Sequence, residues 1–253
     1  MLLHIVFIVV GVALVLWGAD RLTEGASGLA RRMNVPEIVI GLTIVAAGTS
    51  APELFVSFVS ALKGTPDMAL GNVVGSNIFN TLLIVGCAAM VAPMQITKAT
   101  VKKDMPFTVI ATVLLIAACM DFWPVASISG HAISRLDGFL LLAGFAVFMY
   151  YTFRMAANKP QQAGGEKAEN TGEAMNVWKG VLFVVIGLAC LIFGSNLFVD
   201  SATNVARQLN ISEGVIGLTI VAGGTSLPEL ATSVVAARKG QSAIAIGNVI
   251  GSN

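Results

Sequence analysis

The chain has 253 residues, 56% of them hydrophobic and only 11% charged. A soluble domain carries about 25% charged residues, so this composition excludes an ordinary water-soluble globule and points to lipid. With 15 basic and 14 acidic residues the net charge is +1, and no basic patch is interleaved with aromatics, so a nucleic-acid partner is excluded as well.

A bilayer-spanning helix needs roughly 20 apolar residues. Such runs are read at 2–20, 37–62, 68–93, 105–123, 137–155, 178–200 and 213–237, and an eighth begins near 243. The first run lacks the basic leader and small-residue cleavage site of a signal peptide, and is kept as a permanent helix ending near Asp20-Arg21. A short connection from Thr23 to Asn34 follows. The second run ends in the turn Lys63-Gly64-Thr65-Pro66. The fourth and fifth runs carry no ionisable residue in their middle and are read as scaffold. Residues 158–176 have neither periodicity nor an apolar anchor, and read as a flexible linker. Cys87, Cys119 and Cys190 sit in apolar runs and are read as small buried hydrophobes. His4 and His131 stand in unrelated contexts.

The second run contains Gly41-Leu-Thr-Ile-Val-Ala-Ala-Gly-Thr-Ser-Ala-Pro-Glu53-Leu, and the seventh repeats it as Gly217-Leu-Thr-Ile-Val-Ala-Gly-Gly-Thr-Ser-Leu-Pro-Glu229-Leu, 176 residues later. The register continues without a gap through Gly71-Asn-Val-Val-Gly-Ser-Asn77 against Gly247-Asn-Val-Ile-Gly-Ser-Asn253, and 24 of the 37 pairs from position 41 to 77 are identical. An internal duplication keeps Gly, Pro, Glu, Ser and Asn in step in this way. It divides the chain into a first repeat of five helices over 1–157, the linker 158–176, and a second repeat over 177–253 with two helices and the start of a third.

Lys and Arg concentrate on the cytoplasmic side of membrane proteins. With the N-terminus outside, 12 of the 15 basic residues fall in inside loops and 3 in outside loops. The linker is then cytoplasmic. Five helices precede it, so the second repeat enters the membrane from the opposite side. Inverted repeats of this kind are typical of secondary transporters.

Within the motif, Pro52 and Pro228 cannot donate a backbone hydrogen bond and clash with the carbonyl four residues earlier. They free the carbonyls of Gly48 and Gly224. A simple kink would do the same, but Glu53 and Glu229 stand one residue later. A charge at the bilayer centre costs about 2.5–3.5 kcal/mol, and no Lys or Arg lies at that depth to pair with either. A polar bundle interior or protonation would lower the cost; a bound cation removes it more directly. Thr49 and Glu53 share a helix face, as do Asn72, Ser76 and Asn80. The available ligands are all oxygens, which suits Ca2+ or Na+ better than zinc or copper.

Gly48-Thr-Ser-Ala-Pro-Glu53 with Gly75-Ser-Asn-Ile-Phe-Asn80, repeated as Gly224-Thr-Ser-Leu-Pro-Glu229 with Gly251-Ser-Asn253, resembles the two alpha repeats of the cation/calcium exchanger superfamily. It is most similar to the prokaryotic sodium/calcium antiporters related to potassium-dependent exchangers. The resemblance implies an all-α membrane protein of ten helices, with no cofactor. It implies an ion site at mid-membrane and alternating access in which Na+ drives Ca2+ out, with K+ or H+ as further coupling ions to consider. Glu53 and Glu229 look like the carboxylates both ions share. Thr49 and Thr225 look like carbonyl donors with Ser50 and Ser226 beside them, and Ser76, Asn80 and Ser252 like side-chain ligands. The partners are then inorganic cations and the lipid bilayer, in a bacterial inner membrane, with no obligate protein partner evident.

A Ca2+/H+ antiporter of the same fold is the nearest rival, and a cation channel a distant one, because a channel does not need two inverted copies of a broken helix. Neither HExxH nor GxSxG occurs, which argues against an intramembrane hydrolase. The repeat partner of Asn80 falls at position 256, beyond Asn253. The expectation is an N-terminal piece that lacks about 75–80 residues by repeat arithmetic and is inactive alone, with an Asn or Asp at 256 in the missing part.

Overall fold

The glycines of the first and sixth apolar runs decide how the helices pack. The computed structural model of the chain describes residues 1–120, 133–158, 176–211, 220 and 222–253, and among these all regular structure is helical. Helix α1 is Leu2–Arg32 and α7 is Val177–Gln208. A Cβ added to Gly11, Gly18 or Gly25 would stand 2.8 Å from the carbonyl oxygen of Gly194, Gly187 or Gly180 respectively. Contact positions rise along one helix as they fall along the other, so α1 and α7 run antiparallel. The seven-residue spacing keeps all six glycines on one seam. Adding 176 to Gly11 and subtracting it from Gly194 gives Gly187 and Gly18, which is again a contact pair. A two-fold operation thus exchanges the repeats, as the inverted reading requires.

Both long helices outrun their expected ends. Thr23 to Arg32 continues α1 instead of forming a connection, and α7 runs to Gln208 rather than residue 200. Gly25 is part of the glycine seam, and Leu22, Ala26 and Ala30 are fully buried around it, so packing holds this stretch helical. The turns that do end the helices repeat at the same offset. Asn34 (φ 53°) and Asn210 (φ 58°) follow α1 and α7, and their backbone N–H groups donate to Arg31 and Arg207. Asn is one of the few residues that tolerate this left-handed conformation.

The expected span 37–62 is broken rather than kinked. Helix α2, Glu37–Thr49, and α3, Ala51–Leu62, meet at an angle of 49°. Ser50 sits between them with φ −83° and ψ 6°. The break falls two residues before Pro52, because Pro takes the first turn of the new helix, where its missing N–H is no loss. Helix α4, Pro66–Val91, carries the wide i→i+5 turn Phe79–Ile84 around Asn80. The second repeat supplies α8, Ala222–Thr225, α9, Leu227–Arg238, and α10, Ser242–Gly251. Gly247 and Gly251 let α10 approach the backbone of α2, with would-be Cβ atoms 2.8 Å from Ile38 O and 2.6 Å from Leu42 O.

These elements belong to a compact unit of Met1–Gln95 with Gly165–Asn253; a second unit covers Ile96–Gly164. The second unit contains α5, Met105–Cys119, and α6, Arg135–Asn158. Ser134 and Asp137 cap the start of α6 reciprocally: Ser134 N donates to Asp137 Oδ2 at 2.8 Å and Asp137 N to Ser134 Oγ at 3.3 Å. Phe107 packs on Phe148 and Tyr151, with ring centroids 5.7 and 5.3 Å apart. The expected linker and most of the 127–137 loop lie outside the described residues, as does the start of the seventh run.

Four described helices are long and apolar enough to cross a membrane, five if the broken pair α2–α3 is one span. The surface agrees: Leu54, Phe55, Phe58 and Leu62 of α3 are 60–73% exposed, while Glu53 and Ser60 of the same helix are buried. Apolar side chains outward and polar ones inward reverse the soluble pattern, and this is an integral membrane protein.

Candidate functional site

Ser50-Ala-Pro-Glu53 and Ser226-Leu-Pro-Glu229 each have the S-x-x-E spacing of a capping box, in which the serine and the glutamate would close on each other's backbone N–H. They do not. Neither serine makes a side-chain cap on its own helix. The Ser50 hydroxyl donates instead to Glu229 Oε1 at 2.7 Å, and the Ser226 hydroxyl to Glu53 Oε1 at 3.2 Å. The two bonds are exchanged by the 176-residue offset, so each repeat caps the carboxylate of the other.

Glu53 is 8% exposed and Glu229 1%. Oε1 of each is held by the opposite serine, while Oε2 of each is buried with no protein partner. Asn80 Oδ1, Ser252 Oγ and Asn253 Oδ1 are buried and unpartnered as well. Asn80, on the wide turn of α4, donates from Nδ2 to Ser252 O at 3.4 Å, which brings the ends of α4 and α10 together. Such orphans are rare in folded proteins, and here all five are oxygens with free lone pairs. Both glutamates lie in the first turn of their helices, where the backbone N–H ends favour negative charge. Carboxylate, amide and hydroxyl oxygens are the donor types that hard cations take. Among the described residues no group of three or more His, Cys, Asp or Glu forms a resident metal site.

Hydrogen bonds thus join Ser50 to Glu229, Ser226 to Glu53 and Asn80 to Ser252. Thr49 is buried at the end of α2, its hydroxyl donating to Asn248 Oδ1 at 3.1 Å and lying 3.3 Å from Ala46 O. Thr225 stands half-buried at the end of α8. Ser76 is set apart, since its hydroxyl donates to Val73 O of its own helix at 3.0 Å. One expectation is corrected: the carbonyl of Gly224 is not free. Ser195 of α7 donates to it at 2.6 Å. Repeat symmetry gave no warning, because the position equivalent to Ser195 is Ala19.

The sequence profile of the sodium/calcium exchanger protein family matches residues 3–154 and 179–253. The chain is a member of that family. It is 38% identical to a putative antiporter, CaxA, of Alkalimonas amylolytica, over the whole chain and 77% of that protein. It is 36% identical to the inner membrane protein YrbG of Escherichia coli, over the whole chain and 76% of that protein. It is 31% identical to the sodium/calcium exchanger MaX1 of Methanosarcina acetivorans, over 99% of the chain and 79% of that protein. Among solved structures it matches the sodium-calcium exchanger NCX_Mj soaked with 10 mM Na+ and no Ca2+, with a TM-score of 0.83 and 32% identity over 99% of this chain and 78% of that one. The fold is therefore that of the membrane exchangers. The chain spans a little over three quarters of the length of these relatives.

Proposed function

We propose that this family member is a secondary antiporter that exchanges Ca2+ for Na+ by alternating access, both ions being taken by the Glu53–Glu229 pair. The observation that carries this reading is the state of the two carboxylates: one oxygen of each is fixed by the opposite repeat, and the other is buried without a partner. Leaving two such oxygens unmatched in lipid is costly, and a cation between them offsets that cost. The backbone carbonyls of Thr49 and Thr225 and the side chains of Asn80 and Ser252 are the oxygens that would complete a shell around the pair; Ser76 joins it only when its hydroxyl leaves Val73 O. Na+ and Ca2+ compete for the same carboxylates, so one must leave before the other is bound, which is the requirement for exchange. The names of MaX1 and of NCX_Mj, both sodium/calcium exchangers, support the choice of ions.

The deciding experiment loads vesicles containing the full-length protein with Na+ and dilutes them into Na+-free buffer with radioactive Ca2+. Rapid uptake that collapses when Na+ is equal on both sides is the expected result. Uptake driven by a pH gradient alone would replace Na+ by H+ as the coupling ion, and uptake following voltage alone would make the protein a channel. Adding or omitting K+ tests its participation.

The first repeat, 1–157, and the second, 177–253, are proposed to be the inverted halves, joined by a cytoplasmic linker over 158–176, with the N-terminus outside the inner membrane. A single cysteine at Gly164 or Gly165, in a background lacking Cys87, Cys119 and Cys190, is expected to resist membrane-impermeant thiol reagents in intact cells and to react after lysis. Ready labelling from outside would reverse the orientation.

A further inference from the structure

Two asparagines outside the ligand set hold the helices that carry the glutamates. Asn72 of α4 donates from Nδ2 to the backbone carbonyl of Glu53 at 3.1 Å and to Ser57 Oγ at 2.9 Å. Asn248 of α10, 176 positions later, donates to the carbonyl of Glu229 at 3.3 Å and to Ser233 Oγ at 2.9 Å. Glu53 and Ser57, like Glu229 and Ser233, are one helical turn apart on a single face, so one amide spans both. The helical i→i+4 bond occupies only one of the two lone pairs of each glutamate carbonyl, and the other is free for the amide.

From this we infer that Asn72 and Asn248 are positioning residues of the ion site: by gripping the main chain of Glu53 and Glu229 they set the depth and rotation at which each carboxylate meets the ion. The inference rests on the Glu53–Glu229 pair being the ion site. The chemistry demands this residue type. Asn248 is fully buried, and its amide uses both kinds of polar atom: Nδ2 donates to two oxygens of its own repeat, and Oδ1 accepts from the Thr49 hydroxyl of the other. Aspartate has the acceptors and lacks the donors; leucine has the shape and neither. The grip acts on the glutamate's own backbone, a few bonds from its carboxylate, rather than on a distant turn. Through Thr49 the Asn248 amide also ties the end of α2 in the first repeat to the glutamate-bearing helix of the second. The same geometry is built twice at independent positions of the chain, with distances agreeing to within 0.2 Å.

The test is Ca2+ uptake by Asn72→Ala and Asn248→Ala in vesicles, with the amount of folded transporter measured by size exclusion, beside Glu53→Gln and Glu229→Gln. Groups that orient ligands typically change metal affinity by about 10- to 100-fold when removed. The half-saturating Ca2+ concentration is expected to rise by that factor, while the maximal rate per folded transporter stays within about 2-fold of wild type. A lower maximal rate at unchanged half-saturation, or loss of folded protein in both alanine variants, would mark plain helix packing and overturn the inference. Uptake that is abolished in the glutamine variants with wild-type half-saturation in both alanine variants removes the positioning role and leaves the ion site standing. Normal uptake in the glutamine variants would remove the site itself and the inference with it.

Discussion

Glu229→Gln is expected to abolish Ca2+ uptake and leave the protein folded, and Glu53→Gln to do the same. Glutamine has the shape of glutamate and keeps an oxygen to accept the opposite serine hydroxyl, so the bonds Ser50–Glu229 and Ser226–Glu53 survive. What is lost is one of the two carboxylates proposed to face the ion. Affinity of oxygen cages for Ca2+ follows ligand charge over several orders of magnitude, and a loss of about 100-fold or more in uptake at limiting Ca2+ is expected on that scale. Folding should not suffer, because a buried charge that costs about 2.5–3.5 kcal/mol in mid-membrane has been removed. Two measurements separate these effects. Vesicle uptake reports the site, and thermal unfolding in detergent reports the fold. Ca2+ should raise the midpoint of the wild type and not of the variants, since a ligand stabilises only what it binds. Near-wild-type uptake in either variant would sink the assignment.

Gly187→Leu is expected to remove most of the folded protein. A Cβ at Gly187 would lie 2.6 Å from Leu22 N, 2.8 Å from Gly18 O and 2.9 Å from Leu22 Cα. All three are backbone atoms of α1, which cannot turn aside as a side chain can. The helices must separate along a seam where Ala19, Leu22, Ala26 and Leu191 are fully buried. Overpacking a tight contact costs about 1–3 kcal/mol, and an isobutyl group inserted between two backbones is at the upper end. Gly144→Ala in α6 is the control: nothing lies within 4 Å of its would-be Cβ, and alanine favours the helix by about 1 kcal/mol. Yield and thermal midpoint in detergent should fall sharply for Gly187→Leu and hold or rise for Gly144→Ala. Equal midpoints would mean that the α1–α7 seam does not hold the fold together.

The duplication, the membrane-spanning character and the candidate ligands were legible in the amino-acid order because each is a local pattern. Apolar runs are read by length, and a motif with Pro and Glu inside such a run is read by its incongruity. The repeat is read by register. An inverted relation of the halves was the expectation from an odd number of spans before the linker, and the antiparallel packing of α1 on α7 agrees with it. The exchanged contacts of Gly11–Gly194 and Gly18–Gly187 give that relation its geometry.

What the tertiary structure decided are choices between partners distant in sequence. Gly25 in a stretch such as Thr23 to Arg32 suits a turn or a helical seam equally; Gly180 on the facing helix makes it a seam, and α1 runs on to Arg32. Ser50-Ala-Pro-Glu53 has the spacing of a self-contained cap, yet both serines bond across to the other repeat. Ser195 closes the Gly224 carbonyl from another helix, where the first repeat has Ala19. Ser76 and Ser252 occupy equivalent positions and differ in fate: one hydroxyl bonds its own helix, the other stays buried and unmatched. The physical reason is common to all four. Local spacing fixes which groups a helix presents, because the backbone repeats every 3.6 residues. Which of those groups finds a partner depends on what the facing helix offers within about 3 Å, the reach of a hydrogen bond, and partners brought from 29 residues away, as Ser195 is to Gly224, or from 179, as Ser50 is to Glu229, leave no trace of that in the local sequence.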